Sequence, residues 1–268
     1  MTTNAGVDRR PAKPRGSLAV PIGLVAFAVI SWISVSRQFG IGLDLGELAD
    51  SITRGAEILG ELLSPAWGFL PRTVEPMVET FKMAVIASAI GCAVALPLAF
   101  IVSRITAPNA PTMLVARSTL SVIRAIPDIL YALIFVAAVG IGALPGIAAL
   151  TLFNIGVVTK LLSETVDAVD TGPIEAARAG GGNRTQTVRW AVLPQVLPNY
   201  VAYALYTFEL NIRASTVIGI VGAGGIGYLL IGQYRFFNWS NVSLIIVELF
   251  VLVMAIEFIS IWLRRRLV

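Results

Sequence analysis

The chain contains no histidine and a single cysteine, Cys92. Without histidine there is no Ser-His or Cys-His nucleophile pair, no histidine proton relay and no histidine metal ligand. One cysteine cannot close an intrachain disulfide or build a thiolate cluster. Charge is also scarce. Asp, Glu, Lys and Arg make up 13% of the 268 residues, against about 25% in soluble domains. A water-facing surface needs more than that. What the sequence has in abundance is apolar residues, at 56%, with a mean hydropathy of +0.82. The composition predicts an all-α, polytopic membrane helix bundle.

A helical span requires roughly 20 apolar residues. Residues 17–36 carry no charge and form the first span. Met83–Ser103 is also uncharged, and its helix is expected to begin near Val78. Ile129–Thr159 is uncharged but too long for one span, and Gly140, Gly142, Pro145 and Gly146 interrupt it. It reads as two helices, over 119–140 and 144–166. A fifth span is expected over Pro198–Val221 and a sixth over Asn241–Leu263. These continuous runs differ from the alternating ten-residue strands of a membrane β-barrel. The first run follows Arg9, Arg10, Lys13 and Arg15, as a signal peptide would. A signal core is about 7–15 residues long, so an uncleaved span is preferred, with cleavage after Ser34-x-Ser36 as the alternative.

Six spans put both termini on one side, and Lys and Arg select the cytoplasmic side. One set of segments carries Arg9, Arg10, Lys13, Arg15, Arg104, Arg117, Arg178, Arg184, Arg189, Arg264, Arg265 and Arg266. The other carries Arg37, Arg54, Arg72 and Arg235. The first set, with both termini, is expected on the cytoplasmic side. This asymmetry accounts for the basic pI of about 9.5 without a nucleic-acid partner.

The chain divides into a cytoplasmic tail (1–16), a first span (17–36), an external segment (37–74) and a core (75–268). In the external segment Leu45, Leu48, Ile52, Ala56, Leu59 and Leu63 recur at helical spacing, opposite Asp44, Glu47, Asp50, Arg54, Glu57 and Glu61. This predicts an amphipathic helix at the outer interface, an anchoring element in preference to a docking one. The longest inner loop is 167–195. Pro173 suits the first turn of a helix and Glu175 complements its dipole. Gly180, Gly181 and Gly182 end that helix. A second short helix is expected over Asn183–Val192, ended by Pro194. The result is a knob shaped to plug into a groove on another protein.

Within that loop, Glu175-Ala176-Ala177 is followed at fixed spacing by Gly181 and by Leu193-Pro194. This resembles the EAA loop of ABC-importer permeases, with Ala191 standing where that family has Ile. Arg124-Ala125-Ile126-Pro127-Asp128, Tyr131-Ala132-Leu133, Lys160-Leu161-Leu162-Ser163-Glu164, Leu193-Pro194-Gln195-Val196-Leu197-Pro198 and the run from Tyr206 to Gly227 are similar to phosphonate-type ABC permeases. The likeness covers roughly residues 75–265. It implies a type I importer permease for phosphonate, phosphite or phosphate that pairs with a second copy of itself. It implies two cytoplasmic ATPase subunits docked on the EAA loops, and an extracytoplasmic oxyanion-binding protein. The chain has no Gly-x-x-x-x-Gly-Lys-[Ser/Thr] phosphate loop, so ATP and Mg are expected on the partner ATPase and no cofactor on this chain.

Ionisable side chains inside spans are expensive and mark candidate functional sites. Glu209 and Arg213 lie four apart, as do Arg124 and Asp128, and Lys160 and Glu164; Glu79 and Lys82 lie three apart. Self-neutralisation suits Lys160–Glu164 and Glu79–Lys82, which can snorkel. Glu209–Arg213 stands between neutralisation and a translocation or gating role, since an arginine fork matches an oxyanion. Arg124 could assist anion exit or tie its helix to the loop. Gly222, Gly224, Gly225 and Gly227 fit a dinucleotide motif, but a strand should precede it and here an apolar helix does. A flexible or broken helix end near the outer face is expected, serving close packing or a transient anion contact. Ala84, Ala87, Ser88, Gly91 and Ala95 form a small-residue helix-packing face.

The reading is a six-span permease subunit working by alternating access, itself no enzyme. Alternatives are a permease for methionine or another amino acid, and an ATPase-independent secondary transporter or channel. An intramembrane enzyme lacks an evident nucleophile–base pair.

Overall fold

The computed structural model describes residues 19–35 and 45–267. The chain divides into two compact units, Met1–Glu57 and Ile58–Val268. The expected tail 1–16, with Arg9, Arg10, Lys13 and Arg15, lies outside the described residues, as do Arg37 and Asp44. The side chains of Leu45, Glu47, Leu48 and Asp50 lie outside the described ones too.

In the first unit α1 spans Ala19–Val35, is apolar all round and carries no charge, as suits a helix surrounded by lipid. Helix α2, Leu45–Leu62, begins there and is amphipathic. Ile52 and Leu59 are exposed on it, and Arg54, Glu57 and Glu61 carry its charge.

The second unit is a bundle. A 3₁₀ turn at Trp67–Phe69 leads into α3, Leu70–Val102. This helix starts earlier than the apolar run suggests. Pro71 sits in its first turn, where a missing N–H costs nothing. At 33 residues it measures about 50 Å, longer than a hydrocarbon core of about 30 Å, so Arg72 and Glu75 fit on its protruding end. Its buried stripe runs Thr73, Thr80, Met83, Ala84, Ala87, Ser88, Gly91, Cys92, Ala95 and Ala99. The small-residue face lies within it. A Cβ on Gly91 would come 2.5 Å from the Asn154 Cβ, so glycine there sets how closely the two segments approach.

The third expected span is broken. Helix α4 covers Ala110–Ala125 and α5 covers Asp128–Val139, bent by 86°. Ile126 is extended, with ψ 124, because the proline ring that follows excludes the α conformation. Pro127 then caps α5. The fourth expected span corresponds to α6, Ala143–Asp167. Gly140 and Gly142 precede it at φ 99 and φ 145.

The loop between spans holds α7, Gly172–Ala179, and the short α8, Arg184–Thr187. A π turn over Val188–Val192 leads without interruption into α9, Leu193–Ile220. Pro194 therefore does not end the second loop helix. It occupies the first turn of α9, where proline is tolerated. Helix α10, Gly225–Arg235, follows at a 42° bend, and α11 covers Trp239–Leu267. Among the described residues three helices are long and apolar enough to cross a membrane, or five when each bent pair counts as one. With the shorter apolar α1, that gives six apolar segments.

The core is layered along the bundle. Near the glycine turns, Met83, Ala87, Tyr131, Ala149, Leu150, Ile218 and Ala223 pack together. Near the loop, Ala99, Leu162, Val166, Ile174, Ala191, Val192 and Val196 do so. The loop end and the glycine end are thus opposite ends of one bundle.

Candidate functional site

The loop is rigidly built. Helix α7 ends in a Schellman motif: Gly182 N–H donates to Ala177 O at 2.9 Å and Gly181 N–H to Arg178 O at 3.0 Å. Gly181 takes the left-handed position at φ 79, which costs an ordinary L residue about 1–2 kcal/mol. Asn183 opens the second half with a capping box. Its side chain accepts from Gln186 N–H at 2.9 Å and its N–H donates to Gln186 Oε1 at 2.8 Å. The Asn-x-x-Gln spacing is the sequence signature of this box.

The loop has an inner and an outer face. Ile174 is buried at 3% exposure among Leu162, Val166, Val192 and Val196. Glu175, Ala176 and Gly181 are exposed, Ala177 and Leu193 are half-buried and Pro194 is exposed. Ala191, where the resembled family has Ile, is buried in the same cluster, so its apolar contact survives in a smaller form. Gln195 bonds both polar groups of Asp170: its Oε1 accepts the N–H at 3.1 Å and its Nε2 donates to the carbonyl at 3.3 Å. The Arg184 guanidinium donates to Thr106 O. The loop is therefore tied to α9 and to the α3–α4 connection.

A second tie joins the loop ends of three helices. Asp167 Oδ1 accepts from the Ser103 hydroxyl and from Arg104 N–H, each at 2.6 Å. Its Oδ2 meets the Arg117 guanidinium at 3.2 Å, and Arg117 also donates to Val102 O at 2.9 Å. The sequence marks Arg104 and Arg117 only as side-selecting charges. Their convergence on one carboxylate depends on three chain segments meeting, which spacing does not reveal.

Glu209 and Arg213 form an ion pair along α9. The carboxylate is 9% exposed, while the arginine side chain is 48% exposed. A residue that the sequence marks only as a side-selecting charge completes the group. Arg264, in the last turn of α11, brings Nη2 to 3.6 Å from Glu209 Oε2. Two guanidinium groups share one carboxylate, leaving one surplus positive charge and an exposed arginine fork.

Arg124 and Asp128 do not pair. They sit on either side of the 86° bend, so the four-residue spacing no longer puts them on one helix face. Arg124 contacts Leu120 O and Ser121 Oγ at 3.4 Å each, and Asp128 accepts from Ile129 N–H at 2.9 Å. Lys160 and Glu164 do pair, at 2.5 Å. Glu79 and Lys82 do not. Glu79 Oε2 accepts from Gly225 N–H at 3.0 Å, and Lys82 is exposed. Glu248 accepts from the Thr73 hydroxyl at 2.7 Å.

The glycines form the turn between α9 and α10. Gly222, Gly224 and Gly225 have φ of 96, 80 and 68. Close packing dominates: a Cβ on Gly227 would lie 2.0 Å from Thr216 O, and one on Gly224 2.9 Å from Ala143 N. Gly142 N–H donates to Gly222 O at 3.0 Å, joining the two glycine turns. The α10 N-terminus, a candidate anion contact, is already bonded: Thr80 Oγ1 accepts from Ile226 N–H at 2.8 Å, beside Glu79 on Gly225.

A helix bundle with two bent pairs and a two-helix loop hinged on glycine has the architecture of a type I ABC importer permease. The chain belongs to the family of binding-protein-dependent transport system inner membrane components, whose model matches residues 95–268. It is a multi-pass membrane permease subunit and not itself an enzyme. It is 38% identical over 272 residues to the phosphite transport system permease protein PtxC of Stutzerimonas stutzeri, covering 99% of each chain. It is 42% identical over 190 residues to the phosphate-import permease protein PhnE of Mycolicibacterium smegmatis, covering 71% of this chain and 36% of that one. The inward-facing MetNI methionine ABC transporter matches with a TM-score of 0.65 at 26% identity, over 76% of this chain and 99% of that chain. Permeases of this family work with an ATPase and a binding protein, and in such systems ATP and Mg belong to the ATPase. Membership sets aside the secondary-transporter and intramembrane-enzyme readings.

Proposed function

We propose that the chain is the permease of an importer for phosphonate, phosphite or phosphate, working as a homodimer with two ATPase subunits and an extracytoplasmic oxyanion-binding protein. The observation that carries the substrate class is the 38% identity to a phosphite permease along nearly the whole chain. The methionine reading has the shared fold and 30% identity over 70% of this chain behind it. The exposed face of the 167–195 loop, with Glu175, Ala176, Ala177, Gly181, Leu193 and Pro194, receives the ATPase. The buried Ile174 and the Gln195–Asp170 bonds carry its movement into α6 and α9. The loop end, with Arg104, Arg117, Arg178, Arg184 and Arg189, faces the cytoplasm, as do both termini, the second of them carrying Arg264–Arg266.

The path runs past the Glu209–Arg213–Arg264 group. Its surplus charge attracts an oxyanion, and its shared carboxylate keeps the attraction weak enough for release. Arg124 and Asp128 belong to the same path on the loop side, and the Gly222–Gly227 turn is its outer hinge. Co-purification with the genomic-neighbour ATPase and vanadate-sensitive, binding-protein-stimulated uptake of phosphite, phosphate and methionine in proteoliposomes tests this reading. Methionine uptake without oxyanion uptake would overturn it.

A further inference from the structure

The loop end contains a cavity that the coupling and path assignments leave without an occupant. Its volume is about 210 Å³, and Arg104, Arg117, Arg124 and Lys160 line it beside Glu164 and Asp167. Four cationic groups face two carboxylates. Arg117 is spent on Asp167 and Lys160 on Glu164, so Arg104 and Arg124 supply the surplus. Asp167 holds the backbone N–H of Arg104, and among the described residues no ion pair engages its guanidinium. Arg124 meets only neutral oxygens at 3.4 Å, the long limit of a hydrogen bond, and an arginine fork has five donors to satisfy.

The position of Arg124 is built into the bundle. Its stem crosses α6 at Gly156, where a Cβ would lie 2.8 Å from the Arg124 Cγ. Lys160 follows one turn along α6, and Ser163 and Glu164 come next. Ser121 and Ser163 line it too, the Ser163 hydroxyl donating to Lys160 O at 2.9 Å. Two guanidinium groups without a carboxylate partner in a concave site match a multiply charged acceptor of tetrahedral shape.

We propose that this cavity binds a tetrahedral phosphorus oxyanion, either the free anion or the phosphate of an acidic phospholipid. The inference deepens the reading of Arg124 as part of the path and rests on it for its role in transport, but the binding itself does not need the path to be correct.

The test uses the full-length permease in nanodiscs. In phosphatidylcholine discs, equilibrium binding of radiolabelled inorganic phosphate is compared for the wild type, R104Q, the R104Q/R124Q pair and R213Q. A thermal melt checks that each is folded, and R104Q alters an exposed side chain without an ion pair. Saturable binding that weakens about tenfold or more in the pair, with R213Q unchanged, supports the site and identifies the free anion. In phosphatidylglycerol discs without phosphate, native mass spectrometry counts retained lipid. Retention lost in the pair supports the site and identifies the lipid phosphate. Folded R104Q/R124Q that binds phosphate and lipid as the wild type does overturns the proposal. Phosphate binding lost in R213Q but kept in the pair also overturns it, while leaving the path through Glu209 and Arg213 standing. Binding lost in the pair with uptake intact supports the site and removes Arg124 from the path.

Discussion

Arg264, in the last turn of α11, reaches the carboxylate of Glu209 on α9, with Nη2 3.6 Å from Oε2. Arg213 engages the other oxygen of the same group. The three residues lock two long helices together at a buried point, and the ends differ in worth. Glu209→Gln removes the charge from two partners, whereas Arg264→Gln leaves the Arg213 pair intact. The Arg213 contact is a charge-assisted hydrogen bond, a class that contributes about 1.5–3 kcal/mol, whereas Arg264 at 3.6 Å makes an ion pair beyond hydrogen-bond reach, worth about 0–1 kcal/mol. Glu209→Gln is therefore expected to lower the melting temperature of the purified permease clearly more than Arg264→Gln. Equal shifts in a fluorescence thermal melt would show that Arg264 carries no share of the group.

Arg213→Ala tests function at the same place. Its guanidinium is half exposed and forms one of the two partners of Glu209, so assembly is expected to survive on Arg264. Oxyanion uptake at unchanged expression is expected to fall about tenfold or more, in line with the loss of a charged contact. Normal uptake would remove Arg213 from the path.

How much of this was legible in the sequence depends on the reach of each interaction. Helix positions follow from local apolar runs, and α6 and α9 lie close to expectation. The Gly181 elbow also follows from local chemistry. The 86° bend is local too, since Pro127 excludes a helical Ile126, but an apolar run on both sides of it concealed the break. That bend undid the Arg124–Asp128 spacing. Glu79 bonding to Gly225, Arg264 reaching Glu209 and Asp167 collecting Ser103, Arg104 and Arg117 all join residues distant in sequence. One chain without its folded partners contains no periodic signal for them.

Gly181 separates conformation from contact. A Cβ there would touch nothing within 4 Å, yet φ is 79. Side-chain size is therefore not the obstacle, and backbone handedness is. Asn tolerates this region and β-branched residues do not. Gly181→Asn is expected to keep most binding-protein-stimulated ATP hydrolysis in the reconstituted complex, and Gly181→Val to lose coupling at a cost of about 1–2 kcal/mol to the turn. Equal loss in both would mean that the glycine contacts the ATPase surface directly.

Gly227 is limited by space instead. It lies inside α10, and a Cβ would fall 2.0 Å from Thr216 O, a backbone atom of α9 that cannot swing aside. Overpacking of this kind costs about 1–3 kcal/mol, occasionally more, and it would push α10 away from α9 at the glycine end. Gly232, on the same helix, has nothing within 4 Å of a Cβ and serves as the control. Gly227→Ala is expected to reduce the yield of folded permease and its melting temperature, while Gly232→Ala matches the wild type. If Gly227→Ala melts at the wild-type temperature, the α9–α10 turn is looser than its packing implies, and its role as a fixed hinge fails with it.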